Sequence, residues 1–157
     1  MRILVIGAGA TGGYFGARLA QAGRDVTFLL LPARAAAVRA NGLRLTGEGP
    51  DEVVPVTVVT ADELNAPYDM VLVTVKNGAL DSAMDDMAPA VGPGTLIVPF
   101  LNGMSHLDRL NQRFGAGAVL GGVVIVATTV NSDKKIFLYV NRADKTITWP
   151  APYVFKY

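Results

Sequence analysis

Residues 2–13 read RILVIGAGATGG, and the architecture of the chain can be predicted from this stretch outward. Residues 3–6 are uninterruptedly apolar, which is typical of a central parallel strand buried on both faces, here predicted over residues 2–6. Glycines follow at once in the spacing G-x-G-x-x-G. A helix is predicted next, over Tyr14–Ala22, with Phe15, Leu19 and Ala22 on its buried face.

The glycine loop consists of six residues, namely Gly7, Ala8, Gly9, Ala10, Thr11 and Gly12. Its first glycine permits a tight turn, its second lets a pyrophosphate approach the backbone, and its third lets the helix pack closely on the strand. The helix offers unpaired N–H groups and its positive dipole end to phosphates. Because the motif stands between a strand and a helix, we predict that these six residues bind a dinucleotide.

The rest of the chain continues the alternation of strand and helix. Further strands are predicted at Val26–Leu31, Val53–Val59, Met70–Val75, Thr95–Pro99 and Val119–Val126. Helices are predicted between them, at residues 33–40, 80–88 and 105–114, the last with a capping box from Ser105 to Asp108. Strands separated by helices imply a parallel sheet with right-handed crossovers. We therefore predict an α/β fold with a Rossmann-like, doubly wound, mostly parallel sheet.

The chain changes character near residue 131. Four of its five lysines lie beyond that point, and a C-terminal β-hairpin is predicted from Ile136–Val140 and Thr146–Trp149. We expect a dinucleotide-binding domain over residues 1–130 and an edge hairpin with an atypical tail over 131–157. Two explanations remain open for the tail: an exposed edge hairpin protected by lysine, or a segment of separate origin joined by truncation or frameshift.

The composition excludes several classes of function. The 157 residues are 51% hydrophobic and 17% charged, with a net charge of +1, which argues against a nucleic-acid or membrane-surface partner. The chain has no cysteine, so disulfides and thiolate metal sites are impossible, and we expect no metal site. The single histidine, His106, is predicted at the surface. We expect a cytoplasmic protein without a membrane span.

The choice of dinucleotide depends on the end of the second strand. NAD-binding loops place an acidic residue about 20 residues past the glycines, whereas residues 28–31 here are Phe-Leu-Leu-Leu. The nearest cation is Arg34, and Lys76 follows the fourth strand at the same edge. A missing acid and two cations favour NADP, with NAD the less favoured cofactor. The alternative for Arg34, a solvated helix residue, remains open.

Asn102 follows the fifth strand at the same carboxyl edge of the predicted sheet. Its side-chain amide is suited to bind the nicotinamide or a substrate oxygen. From the residues alone, an Asn-Gly turn linking strand to helix explains it equally well.

Four motifs together resemble the N-terminal domain of the ketopantoate reductase (2-dehydropantoate 2-reductase) family: the glycine loop, Val73–Lys76, Leu101–Met104 and Gly121–Val123. The resemblance covers about residues 1–130, with a weaker similarity in the hairpin to about Trp149. It implies NADPH-dependent reduction of a 2-keto acid, ketopantoate, on the route to pantothenate and coenzyme A. It implies that Gly7 to Gly12 bind the pyrophosphate, Lys76 holds the adenosine end and Asn102 lies at the nicotinamide and substrate.

The sequence departs from the family in three places. Leu31 stands where the family commonly has an arginine for the 2′-phosphate, and Asn77-Gly78-Ala79 replace the family's usual residues after the lysine. The family's helical second domain, which supplies the general-acid lysine, is not present. We therefore expect an oxidoreductase half that needs a helical partner domain or a homodimer to complete its site. The alternative is a non-catalytic dinucleotide-binding module or a truncated-gene remnant.

Overall fold

The computed structural model describes residues 1–47, 49–122, 124, 126, 128–138, 147–148 and 154–155. Within these ranges the helices are α1 (Ala10–Gln21), α2 (Pro32–Asn41), α3 (Leu80–Met87) and α4 (Ser105–Phe114). The strands are β1 (Arg2–Ile6), β2 (Asp25–Leu29), β3 (Leu43–Gly47), β4 (Gly49–Val54), β5 (Thr57–Val59), β6 (Met70–Val73), β7 (Leu96–Pro99), β8 (Thr128–Val130), β9 (Ile136–Leu138), β10 (Ile147–Thr148) and β11 (Val154–Phe155). Single 3₁₀ turns occupy Ala61–Glu63, Asn77–Ala79 and Ala88–Ala90.

The main sheet has five parallel strands in the order β5-β2-β1-β6-β7. The chain winds outward from β1 in one direction through β2 and β5, and in the other through β6 and β7. This reversal at β1 is the switch point of a doubly wound fold. The predicted Rossmann-like α/β fold is confirmed.

Alternate residues of β1 enter two separate hydrophobic cores. Ile3 and Val5 pack in one core with residues of α1, α2 and β3, whereas Leu4 and Ile6 pack in the other with residues of α3 and α4. All four are at most 5% exposed. The continuous apolar run at the N-terminus therefore reflects a strand covered on both faces.

Small residues let α1 lie close to the sheet, and the predicted buried face of this helix is wrong. Its buried residues are Gly12, Gly13, Gly16 and Ala17, while Phe15 and Leu19 are half-buried and Ala22 follows the helix, exposed. A Cβ at Gly16 would overlap the ring of Phe28, which is fully buried in β2. The glycines of α1 therefore face the sheet because the ring of Phe28 leaves no room for a larger side chain at Gly16.

A second sheet, β4-β3-β9-β8, corrects two strand predictions. The strand predicted over Val53–Val59 is interrupted at Pro55 and Val56, so that β4 ends in the second sheet and β5 begins in the main one. Proline has no N–H to donate, which ends the ladder there. The strand β3 was not predicted.

The C-terminal hairpin differs from its predicted pairing. Strand β9 pairs antiparallel with β8 through a turn at residues 131–135, and on its other edge it pairs parallel with β3. Strand β10 pairs instead with β11, and residues 139–146 of the predicted hairpin lie outside the described residues. The division at residue 130 stays a prediction, although β8 and β9 on its two sides form one hairpin. The predicted sixth strand is seen as a parallel bridge from Val119 to Ile97, and residues 123 and 125 within it are not described.

Helix α4 differs from its prediction at His106 and at its N-terminal cap. His106 is 3% exposed, not at the surface, because it lies one turn before the fully buried Leu110 on the inner face. Its Nδ1 has no hydrogen-bond partner within the described part of the chain. Ser105 is the first helical residue and Met104 the N-cap, so the predicted capping box is wrong; a capping box forms instead between Thr60 and Glu63.

An ion pair fastens α1 to the second sheet. Arg18 donates to the Glu52 carboxylate at 2.8 Å, and Gln21 donates to the same carboxylate at 2.7 Å. The hydrogen bond from Arg18 holds the pKa of Glu52 below its ordinary value. In the described ranges, no helix is both long and apolar enough to cross a membrane.

We predict that Gly16→Ala destabilises the fold by about 1–3 kcal/mol, because the new methyl group overpacks the α1–β2 contact. Urea unfolding measures the change. In a Phe28→Leu background the same substitution should cost less, since the smaller side chain leaves room for the methyl group. Equal costs in both backgrounds would contradict the proposed contact.

Candidate functional site

The loops that carry the predicted site residues leave the main sheet at one edge. Strands β1, β2, β6 and β7 are parallel, so their carboxyl ends lie together. The glycine loop follows β1, Arg34 lies in the first turn of α2 after β2, Lys76 follows β6 and Asn102 follows β7. In open parallel sheets, ligands bind in the crevice beyond this edge, where the winding reverses.

The glycine loop is held in place by Thr74, which follows β6. The Thr74 hydroxyl donates to the Ile6 carbonyl at 2.7 Å and lies 3.3 Å from the carbonyl oxygen of Gly7. Gly7 itself has φ +92°, a conformation that favours glycine, and its N–H donates to the Leu29 carbonyl at 3.1 Å. The turn out of β1 is thus fixed from both neighbouring strands.

Gly12 is required by the packing of the protein itself. A Cβ there would overlap Thr74 Oγ1 and would lie 2.5 Å from the Gly7 carbonyl oxygen. Since one of these obstacles is backbone, a rotamer change alone cannot relieve the overlap. This close approach brings the start of α1 against the end of β1.

Gly9 has the opposite surroundings. A Cβ at Gly9 would meet no atom of the described protein within 4 Å, and its φ of −80° is one that any residue adopts. Neither backbone strain nor internal packing therefore explains a glycine here. The space in front of its backbone is open to solvent or to a ligand.

The N-terminus of α1 begins at Gly9 without compensation for its dipole. Gly9 is the N-cap and supplies no side-chain hydrogen bond, and the first turn contains no acidic residue. The first intrahelical bond is donated by the Gly13 N–H to the Gly9 carbonyl at 2.8 Å. The N–H groups of Ala10, Thr11 and Gly12 precede that bond and have no carbonyl within the helix. This arrangement favours an anion in the open space at Gly9.

A cavity of about 280 Å³ extends from this loop toward α2 and α3. Its walls are mostly apolar and come from β1, β2, the segment after β6 and α3. The lining residues are Ile6, Gly7, Ala8, Gly9, Leu29, Leu30, Leu31, Arg34, Val75, Ala79, Ser82, Ala83 and Asp86. An apolar cleft with a few polar groups beside the glycine loop has the character of a site for the adenosine part of a dinucleotide.

The structure brings only some of the predicted residues into this cavity. Gly7, Ala8, Gly9 and Arg34 line it, and Ala10, Thr11 and Gly12 form the adjoining helix turn. Lys76 is exposed at the N-cap of a 3₁₀ turn and does not line the cavity. Asn102 is exposed in the bend between β7 and α4, also outside it. The roles of all these residues in binding stay predictions.

The loop after Lys76 is braced by α4. Arg109 donates to the Asn77 side-chain oxygen at 3.1 Å and forms an ion pair with Asp81 in α3. The unusual residues of this loop, Asn77 to Ala79, are therefore ordered by contacts of their own.

Sequence reasoning missed Thr74 and the α3 wall of the cavity. Thr74 lies in the Val73–Lys76 motif directly after β6, and a hydroxyl residue at the end of a buried strand is the signal that could have indicated it. Ala79, Ser82, Ala83 and Asp86 recur with helical spacing, but which face of α3 meets the cavity depends on the sheet order. Among the described residues no group of three or more potential metal ligands occurs.

The comparisons with known proteins agree with this geometry. A sequence model of the family described as "Ketopantoate reductase PanE/ApbA" matches residues 3–151. The chain belongs to this family. The resemblance identified from the sequence motifs is confirmed, and the match extends beyond residue 130.

Individual relatives match over most of this chain. The 2-dehydropantoate 2-reductase of Mesorhizobium japonicum is 36% identical over 154 residues, covering 84% of this chain and 47% of that protein. The uncharacterized oxidoreductase YkpB of Bacillus subtilis is 33% identical over 136 residues, covering 87% of this chain and 45% of that protein. The crystal structure of 2-dehydropantoate 2-reductase from Geobacter metallireducens superposes with a TM-score of 0.79 at 33% identity, covering 88% and 46%. The chain thus spans just under half the length of each of these relatives.

We predict that Gly12→Ala lowers the free energy of unfolding by about 1–3 kcal/mol, because its methyl group meets Thr74 and the backbone of Gly7. Urea unfolding measures the loss. Gly9→Ala is the matched control in the same loop and should leave stability unchanged or up to about 1 kcal/mol higher. Adding Thr74→Ala should rescue Gly12→Ala only partly, because the Gly7 carbonyl remains. Equal stabilities of the two glycine variants would contradict the assignment.

Proposed function

We propose that this chain is the NADP(H)-binding part of a 2-dehydropantoate 2-reductase-like oxidoreductase. The observation that carries the proposal is the open space at Gly9, which lies at an uncapped helix N-terminus without acidic residues. Gly12 is demanded by internal packing, whereas Gly9 is not, so an external group explains the second glycine of the motif. A pyrophosphate has the charge and the acceptor oxygens to fill that space.

The residues around the cavity supply the remaining contacts in this proposal. The backbone of Gly7 to Gly12 holds the pyrophosphate, and the apolar walls hold the adenosine. Arg34 is the cation in the cavity that meets a 2′-phosphate, which supports NADPH over NADH. Lys76 and Asn102, at the ends of β6 and β7, reach the adenosine end and the nicotinamide side, respectively.

When bound, NADPH supplies the hydride that reduces the keto carbon of a 2-keto acid. The chain's own part is to hold the cofactor and to expose its reactive end at the carboxyl edge of the sheet. Reduction also requires a positioned acid that protonates the carbonyl oxygen, which typically contributes about 10²–10⁴-fold to the rate. Asn102, the residue that we place on the nicotinamide side, has a side-chain amide that cannot act as a general acid, so we assign that role to a helical partner domain.

Two names among the relatives support the substrate class. The proteins of Mesorhizobium japonicum and Geobacter metallireducens are named as 2-dehydropantoate 2-reductases. We extend that substrate to this chain as part of the proposal. A non-catalytic dinucleotide-binding module is the alternative, and the turnover experiment below separates the two.

We predict that calorimetric titration detects NADPH binding to the chain and that Gly9→Ala weakens it at least about tenfold, since a methyl group occupies the pyrophosphate's space. Gly117→Ala is the matched control, because Gly117 is equally open but follows α4, away from the cavity. It should bind as the parent chain does. Binding of neither NADPH nor NADH by the parent chain, or unchanged binding by Gly9→Ala, would contradict the proposal.

We predict that the 157-residue chain alone shows no appreciable ketopantoate-dependent oxidation of NADPH, because the amide of Asn102, which we place at the nicotinamide side, cannot protonate the product oxygen. Mixing it with the helical domain of a full-length relative should restore measurable turnover, followed by NADPH absorbance. Steady turnover by the chain alone would show that it completes its own site. Binding without turnover in the mixture would favour the non-catalytic module.

A further inference from the structure

The cavity beside the glycine loop contains one positive and one negative side chain. Arg34 from α2 and Asp86 from α3 are the charged residues among those that line it, and both are half-buried. They are not paired with each other, since no ion pair within 4.0 Å joins them. Both charges therefore act on whatever occupies the cavity.

Asp86 differs from the other acidic residues of α3. Asp81 and Asp85 are exposed and form ion pairs with Arg109 and Arg113 of α4. Asp86 lies on another face of the helix, seven residues after Ala79, and with Ala79, Ser82 and Ala83 forms the α3 wall of the cavity. The spacing of three, four and seven residues aligns this wall along one side of the helix. One carboxylate of the three is thus directed to the cavity.

We propose that Asp86 is a specificity-determining residue that opposes Arg34 and so limits the preference of this site for a 2′-phosphorylated nucleotide. This inference rests on the proposed function, because it takes the cavity as the adenosine site. Arg34 attracts the 2′-phosphate and Asp86 repels it, whereas an unphosphorylated ribose carries no charge for either residue to act on. The site then prefers NADPH over NADH less strongly than it would with Arg34 alone.

The surroundings make this opposition effective. A phosphate monoester has about two negative charges near neutral pH, and the cavity walls are largely aliphatic, which limits the screening by water. Leu31, at the end of the second strand's loop, is 72% exposed and adds no charge at the mouth of the cavity. Among the residues that line the cavity, the charge facing a 2′-phosphate is therefore set by one cation and one anion.

The test measures the dissociation constants of NADPH and NADH for four chains: the parent, Asp86→Asn, Arg34→Gln and Asp85→Asn. We expect Asp86→Asn to bind NADPH about three- to tenfold more tightly and NADH unchanged. Arg34→Gln should weaken NADPH by a similar factor and leave NADH unchanged. Asp85→Asn is the matched control, because it removes the same charge one residue away, outside the cavity, and should change neither constant.

The outcomes separate the inference from the function on which it rests. Failure of the parent chain to bind either nucleotide would overturn the proposed function. Normal binding of both nucleotides with an unchanged ratio in Asp86→Asn would overturn the role of Asp86 alone. A parallel change for NADPH and NADH would indicate a structural effect and would also overturn it, as would an equal gain in Asp85→Asn.

Discussion

The contact between Gly12 and Thr74 is the constraint on which the site depends. A side chain at position 12 would overlap both the Thr74 hydroxyl and the Gly7 carbonyl oxygen. The same Thr74 hydroxyl donates a hydrogen bond to the carbonyl of Ile6, the last residue of β1. The end of β1, the start of α1 and the segment after β6 are thereby joined at one point. Because these three segments surround the open space at Gly9, their relative positions determine where the free N–H groups of α1 are directed.

The close approach of α1 also shapes the core on its side of the sheet. A helix held this close to the sheet can cover β1 and β2 only if the residues on its inner face have small side chains. The inner face of α1 consists of glycines and Ala17. Large side chains must then come from the sheet, as Phe28 does. On the opposite face the roles are reversed, since Leu80, Met84 and Met87 of α3 supply the bulk. The close approach at the glycine loop thus has a consequence for packing far from that loop.

Local patterns predicted β1, the glycine loop and the helix at residues 80–88, because each is encoded within a few neighbouring residues. The buried face of α1 and the burial of His106 were not predictable in this way. Both depend on what each helix packs against. The large ring of Phe28 leaves room only for glycine at position 16 on the inner face of α1, where large apolar side chains were predicted. The inner face of α4 includes His106. The pairing of β9 with β3, about 90 residues apart in the chain, leaves no local signal either. Of the candidate site, the loop and Arg34 were predicted, whereas Thr74 and Asp86 required the strand order.

The interruption at Pro55 has a consequence for how copies of this protein behave in solution. A continuous strand over residues 53–59 would have offered a long unpaired edge, whereas β5 has only three residues and is followed at once by the turn at Thr60–Glu63. An edge strand of three residues between a proline and a capped turn has few unpaired backbone N–H and C=O groups with which a strand of another chain could pair. The interruption at Pro55 that separates the two sheets therefore also disfavours edge-to-edge association of copies through β5 at high concentration.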